Sequence, residues 1–130
     1  MSACLNLKPL AMNEWVAVCK LTDIVPDTGV CALVNGRQIA VFRLGGDGDD
    51  SVYAIDNLDP FSKANVLSRG IVGDLKGELV VASPIYKQHF NLATGQCLED
   101  ADARVAVYEA RVEADAVWIK TKPAVDRNVK

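Results

Sequence analysis

With 130 residues, half of them apolar, the chain is long enough for one domain folded around a single core and too short for two. Fourteen basic and seventeen acidic residues give a net charge of -3 with the signs interspersed, which argues against nucleic acid or an anionic membrane surface as a partner. Every apolar run is broken well short of the roughly eighteen residues that a membrane-spanning helix needs.

The N-terminal stretch MSACLNLKPLAMNEW carries one lysine, Lys8, and no long apolar segment ending at a small-residue cleavage site. No secretory leader is expected, and the chain is expected in the cytoplasm. Residues 1–13 read as an N-terminal extension, 14–122 as one β domain and 123–130 as a C-terminal tail, of which 125–130 is expected to fray. Cys4, Cys19, Cys31 and Cys97 are widely spaced and form no paired ligand motif, so they are expected to be reduced small hydrophobes rather than zinc or cluster ligands.

In chain order, short segments rich in Val and Ile predict strands at 15–19, 30–34, 38–44, 52–55, 78–82, 89–92, 105–112 and 116–121. Asn35-Gly36 supplies the two positive φ angles of a type I′ turn, so the second and third of these should pair antiparallel. The run 30–34 is apolar throughout, which allows burial on both faces. Gly45-Gly46-Asp47-Gly48-Asp49-Asp50 reads as a polar connection, since its oxygens lack the regular spacing of a Ca²⁺ loop. Residues 59–73 hold few strand formers and predict a long loop, with a short helical turn at Ser62-Lys63-Ala64-Asn65. Such a loop inside a small domain is usually functional or disordered. Thr94-Gly95 marks a second turn, and residues 113–115 separate the last two strands.

The stretch DNLDPFSKANVLSRGIVGDLKGELVVASPIYKQHFNLATG, residues 56–95, is similar to the cluster-binding part of a Rieske domain. In that family one loop reads Cys-x-His and a second reads Cys-x-x-His, followed by an aromatic and a Thr-Gly turn. The matching positions here are Asp59-Pro60-Phe61 and Ser83-Pro84-Ile85-Tyr86, then Phe90 and Thr94-Gly95. A Rieske centre takes two thiolates on one iron and two imidazoles on the other. Asp59, Phe61, Ser83 and Tyr86 offer neither, so no metal or cofactor is expected in this chain.

Further strings in the same order, VPDTGVCALVNGRQIAVFR, VLSRG, ASPIYKQHF and CLED, resemble the small subunits of NAD(P)H-dependent nitrite reductase over roughly residues 14–121. That resemblance implies an all-β Rieske-type fold of antiparallel sheets, with a smaller loop-rich subdomain in place of the cluster-binding part. It also implies an accessory, non-catalytic role in nitrate assimilation. The partner would be a large subunit carrying FAD, an iron-sulfur cluster and sirohaem, where NAD(P)H reduces nitrite to ammonium. A Rieske-type electron carrier and a free-standing protein-binding module are the alternative readings.

No catalytic set is legible in the residues themselves. His89 is the sole histidine; between Gln88 and Phe90 in a predicted strand it reads as a packed or surface residue. Glu99, Asp100 and Asp102 read as a solvated turn, because no histidine or nucleophile accompanies them. No glycine-rich nucleotide motif occurs. The expected contact residues toward a large subunit are Asp59, Pro60, Phe61, Tyr86 and Lys87, at the tips of the two loops that would converge in a Rieske-type fold.

Overall fold

The computed structural model describes residues 5–6, 14–45 and 50–127. Most of the N-terminal extension, the middle of the polar connection at 46–49 and residues 128–130 lie outside the described residues. The strands are β1 (Leu5–Asn6), β2 (Trp15–Lys20), β3 (Thr28–Val34), β4 (Arg37–Leu44), β5 (Ser51–Asp56), β6 (Ile71–Leu75), β7 (Glu78–Ala82), β8 (His89–Asn91), β9 (Val107–Tyr108), β10 (Ala110–Glu113) and β11 (Ala116–Lys120). They form a sheet in the order β1-β3-β4-β5-β9 and two three-stranded sheets, β10-β11-β2 and β6-β7-β8. All neighbours are antiparallel except β1 and β3, so the all-β, antiparallel expectation holds.

The apolar run in β4 explains how the sheets are joined. Ile39, Ala40, Val41 and Phe42 are all buried, because the period of two sends alternate side chains to opposite faces. Ile39 and Val41 join Val18, Ala54, Val117 and Ile119 in one core. Ala40 and Phe42 join Ile55, Leu67, Val81 and Phe90 in a second. Double-sided burial thus falls on β4 more than on β3, where Val30 and Leu33 stay partly exposed. Each fully buried Ile or Phe contributes roughly 1.5–3 kcal/mol.

The Asn35-Gly36 turn forms as expected, with φ of 50° and 81° and Val34 opposite Arg37. Gly95 sits at φ 77°, where a Cβ would lie 2.2 Å from the Val105 carbonyl oxygen, so only glycine lets the 91–95 turn approach residue 105 this closely.

Several expectations are corrected. Residues 105–112 are not one strand: β9 pairs with β5 and β10 pairs with β11, and the chain changes sheets at Glu109, whose carbonyl accepts a hydrogen bond from the Lys120 N–H. Residues 71–75, expected in a loop, form the edge strand β6; its Gly73 and Asp74 dilute the strand signal, and Ile71 is 76% exposed. The helical turn lies at Leu67–Arg69 rather than at 62–65. Residues 125–127, expected to fray, are held: Val125 bridges Val107, and Arg127 bonds Asp56. Cys31 is disulfide-bonded, whereas Cys19 and Cys97 are free.

Candidate functional site

The two loops that matched ligand loops in the sequence are built alike. Asp59 donates its N–H to the Ala64 carbonyl at 2.8 Å, and its own carbonyl accepts from Lys63 N at 2.8 Å. Ser83 repeats the pattern, donating to the Gln88 carbonyl at 2.9 Å and accepting from Lys87 N at 3.1 Å. The flanks match too, Leu58 opposite Asn65 and Ala82 opposite His89. In each loop a proline follows the first residue, which presets φ for the turn. In each, the lysine four positions on takes a left-handed backbone, with φ of 63° at Lys63 and 67° at Lys87. The internal signal was present in the sequence as a repeated string, Asp59-Pro60-Phe61-Ser62-Lys63 and Ser83-Pro84-Ile85-Tyr86-Lys87, in which Pro and Lys hold the same places.

The first residues of the two loops meet. Ser83 Oγ donates to Asp59 Oδ2 at 2.5 Å, and both side chains are wholly buried. That separation is at the short limit for a hydroxyl bonded to a carboxylate. Asp59 Oδ1 accepts from Phe61 N at 2.8 Å, and Ser83 Oγ accepts from Ile85 N at 3.3 Å. Every oxygen of the pair therefore has a partner within the two loops, as buried polar groups require.

This geometry tests the residues against a [2Fe-2S] cluster, and they do not fit. At the two thiolate positions, oxygens in direct hydrogen-bond contact leave no space for an iron between them. At the imidazole positions, Phe61 packs on Phe90 with ring centroids 6.2 Å apart, and Tyr86 is 58% exposed; neither carries a ligating nitrogen or sulfur. Among the described residues, no three His, Cys, Asp or Glu side chains gather where they could hold a metal ion.

Of the five expected contact residues, Asp59 is corrected: it is a buried clip between the loops, not part of their surface. Pro60 and Phe61 are half-buried, while Tyr86 and Lys87 are exposed. Sequence reasoning did not single out Lys63, Ile85 or Ile71, all of them exposed. Beside the first loop runs an open cleft of about 520 Å³ whose lining includes Phe61, Lys63, Asp100, Asp102 and Arg104. Its charges are mixed in sign, and no serine, threonine or cysteine is among its lining residues.

His89 is tied to Glu99, which accepts from the His89 N–H at 2.7 Å and holds ring Nδ1 at 2.6 Å. Partial burial would raise the Glu99 carboxyl, but the bonds and charge of His89 outweigh it and hold the group below the usual glutamate range. The pair pins β8 to the 96–100 segment. The free thiols are unsuited to nucleophilic work: burial, and then Asp23, push Cys19 up to about 11, and burial raises Cys97 as well.

A second buried carboxylate holds the chain's end. Asp56, 1% exposed, accepts from Arg127 Nη2 at 2.8 Å, Arg127 Nε at 3.1 Å, Arg37 Nη2 at 3.1 Å and the Ala106 N–H at 2.9 Å. Arg37 also lies over the Tyr108 ring, 5.6 Å from its centroid.

Comparison with known proteins agrees with this architecture. Residues 14–120 match the family model of the Rieske-like [2Fe-2S] domain. The nitrite reductase (NADH) small subunit of Salmonella typhimurium is 49% identical over 109 residues, 84% of this chain and 99% of that protein. The NMR structure of the Escherichia coli protein NirD superposes with a TM-score of 0.75 at 44% identity, covering 92% of this chain and all of that one. A stretch amounting to 12% of the nitrite reductase [NAD(P)H] large subunit of Klebsiella oxytoca is 42% identical over 118 residues, 91% of this chain.

Proposed function

The chain belongs to the Rieske-like [2Fe-2S] domain family and, within it, to the small subunits of nitrite reductase, and from that premise we propose that it serves the NAD(P)H-dependent enzyme as an accessory subunit without a redox centre of its own. The reaction, nitrite to ammonium, would run on FAD, sirohaem and an iron-sulfur cluster in the large subunit. The observation that carries this reading is the Asp59–Ser83 hydrogen bond: the two loops are clipped together by side-chain oxygens where a cluster would otherwise join them. A domain stabilised in this way needs no metal to hold its loops and can devote the tip to protein contact. The Klebsiella relative supports the choice of partner, because there a stretch like this chain is part of the large subunit's own polypeptide.

The contact would use Pro60, Phe61, Tyr86 and Lys87, with Asp59 holding the tip in shape. Tyr86 is the cleanest anchor, being exposed and placed on a braced loop. Tyr86→Ala is expected to weaken capture of the purified large subunit by roughly thirtyfold, about 2 kcal/mol, with an unchanged melting temperature. Phe61→Ala should weaken it more than Lys87→Ala does, but with some loss of stability, because Phe61 also covers Phe90. Full-strength binding by both Tyr86→Ala and Phe61→Ala would place the contact on another face.

A further inference from the structure

The doubled loop architecture suggests more than a hydrophobic tip. Lys63 and Lys87 occupy the same position in equivalent turns, each in a left-handed conformation that glycine or asparagine would adopt with less strain. Both are exposed, and they are the only charged side chains on the surface of segments 59–64 and 83–88, since Asp59 is buried. The surface of the two loops themselves therefore carries only positive charge, with Asp100, Asp102 and Arg104 lining the cleft beside Lys63. The same two loops carry the exposed Ile85 and Tyr86 and the half-buried Pro60 and Phe61.

We propose that Lys63 and Lys87 are a matched pair of cationic contacts that flank the apolar tip and engage acidic residues on either side of an apolar pocket of the large subunit. This rests on the docking reading above and adds the chemistry of the partner's surface. The large subunit is chosen over a second copy of this chain for two reasons. Two copies meeting tip to tip would oppose four lysines, a repulsive arrangement. In the Klebsiella relative, moreover, large subunit and domain share one chain.

The test is the association of purified large subunit with the parent chain, the double variant Lys63→Glu/Lys87→Glu and the double variant Lys63→Gly/Lys87→Gly, across a salt series. Surface charges at a rim act mainly on the association rate and are screened by salt. The Glu variant is therefore expected to associate at least tenfold more slowly at low ionic strength, with the gap closing as salt rises. The Gly variant should melt no lower than the parent yet bind more weakly, which separates a binding role from a structural one. If charge reversal leaves rate and salt dependence unchanged while Tyr86→Ala still weakens binding, the lysines are only solvated and this proposal fails alone. If neither the lysine variants nor Tyr86→Ala affects binding, the docking reading fails with it. Loss of self-association in the Glu variant, measured without the large subunit, would make a second copy the occupant and overturn the choice of partner.

Discussion

Ser83→Ala and Asp59→Ala are each expected to destabilise the domain, and to do so through one shared interaction. Removing the Ser83 hydroxyl leaves Asp59 Oδ2 buried without its partner, which costs about 1–3 kcal/mol. Asp59→Ala removes that bond and also the acceptor for the Phe61 N–H at 2.8 Å, so about 3 kcal/mol is expected, a fall of roughly 10 °C in melting temperature. Because both variants lose the same contact, the double variant should be less unstable than the sum, with a coupling on the order of 1–2 kcal/mol. Urea denaturation of the four proteins measures it. Strictly additive losses would mean that the two loops are held together by something else.

Asp56→Ala, at the C-terminal end of β5, should have a comparable or larger effect. The carboxylate's side chain is 2% exposed, and it balances Arg37 and Arg127 while accepting the Ala106 N–H. Breaking a buried charge network by removing its centre costs about 3–5 kcal/mol when the partners stay buried. Here the two arginine side chains are 31% and 36% exposed and can turn to water, so the lower end, roughly 3 kcal/mol, is expected. Arg127→Ala should cost less, about 1 kcal/mol, because Arg37 still faces Asp56, but it should free the 124–127 segment to proteolysis. An Asp56→Ala protein as stable as the parent would show that the arginines hold nothing there.

What was legible in the sequence follows from how local each signal is. The Asn35-Gly36 turn needs only two residues with positive φ, and it forms where it was read. The loop strings were legible as a resemblance, and the missing cluster ligands as a matter of donor chemistry. The Asp59–Ser83 contact joins residues 24 apart, and Arg127 reaches Asp56 across 71 residues. Nothing in the neighbourhood of either residue announces such a partner. Asp59 looked like a surface residue because an Asp-Pro pair favours turns, yet the turn directs its side chain inward, onto backbone N–H groups and the second loop. The break at Glu109 was hidden for a different reason: the apolar pattern runs on from 105 to 112 although the strands belong to two sheets. In the other direction, the exposed Ile71 sits in an edge strand whose Gly73 and Asp74 obscure it.

The most direct test is amide hydrogen exchange on this chain, alone and in complex with the purified large subunit. The backbone N–H groups of Phe61, Ser62, Ile85 and Tyr86 report on the two loop tips. Lys63 and Lys87, whose N–H groups close the turns, report on whether the loops keep their shape. Protection gained at 61–63 and 85–87, with the β10-β11-β2 sheet unchanged, is the expected result. Protection confined to that sheet, with both loops exchanging as in the free chain, would contradict the account that this hydrogen-bonded, ligand-free tip is the surface that meets the large subunit.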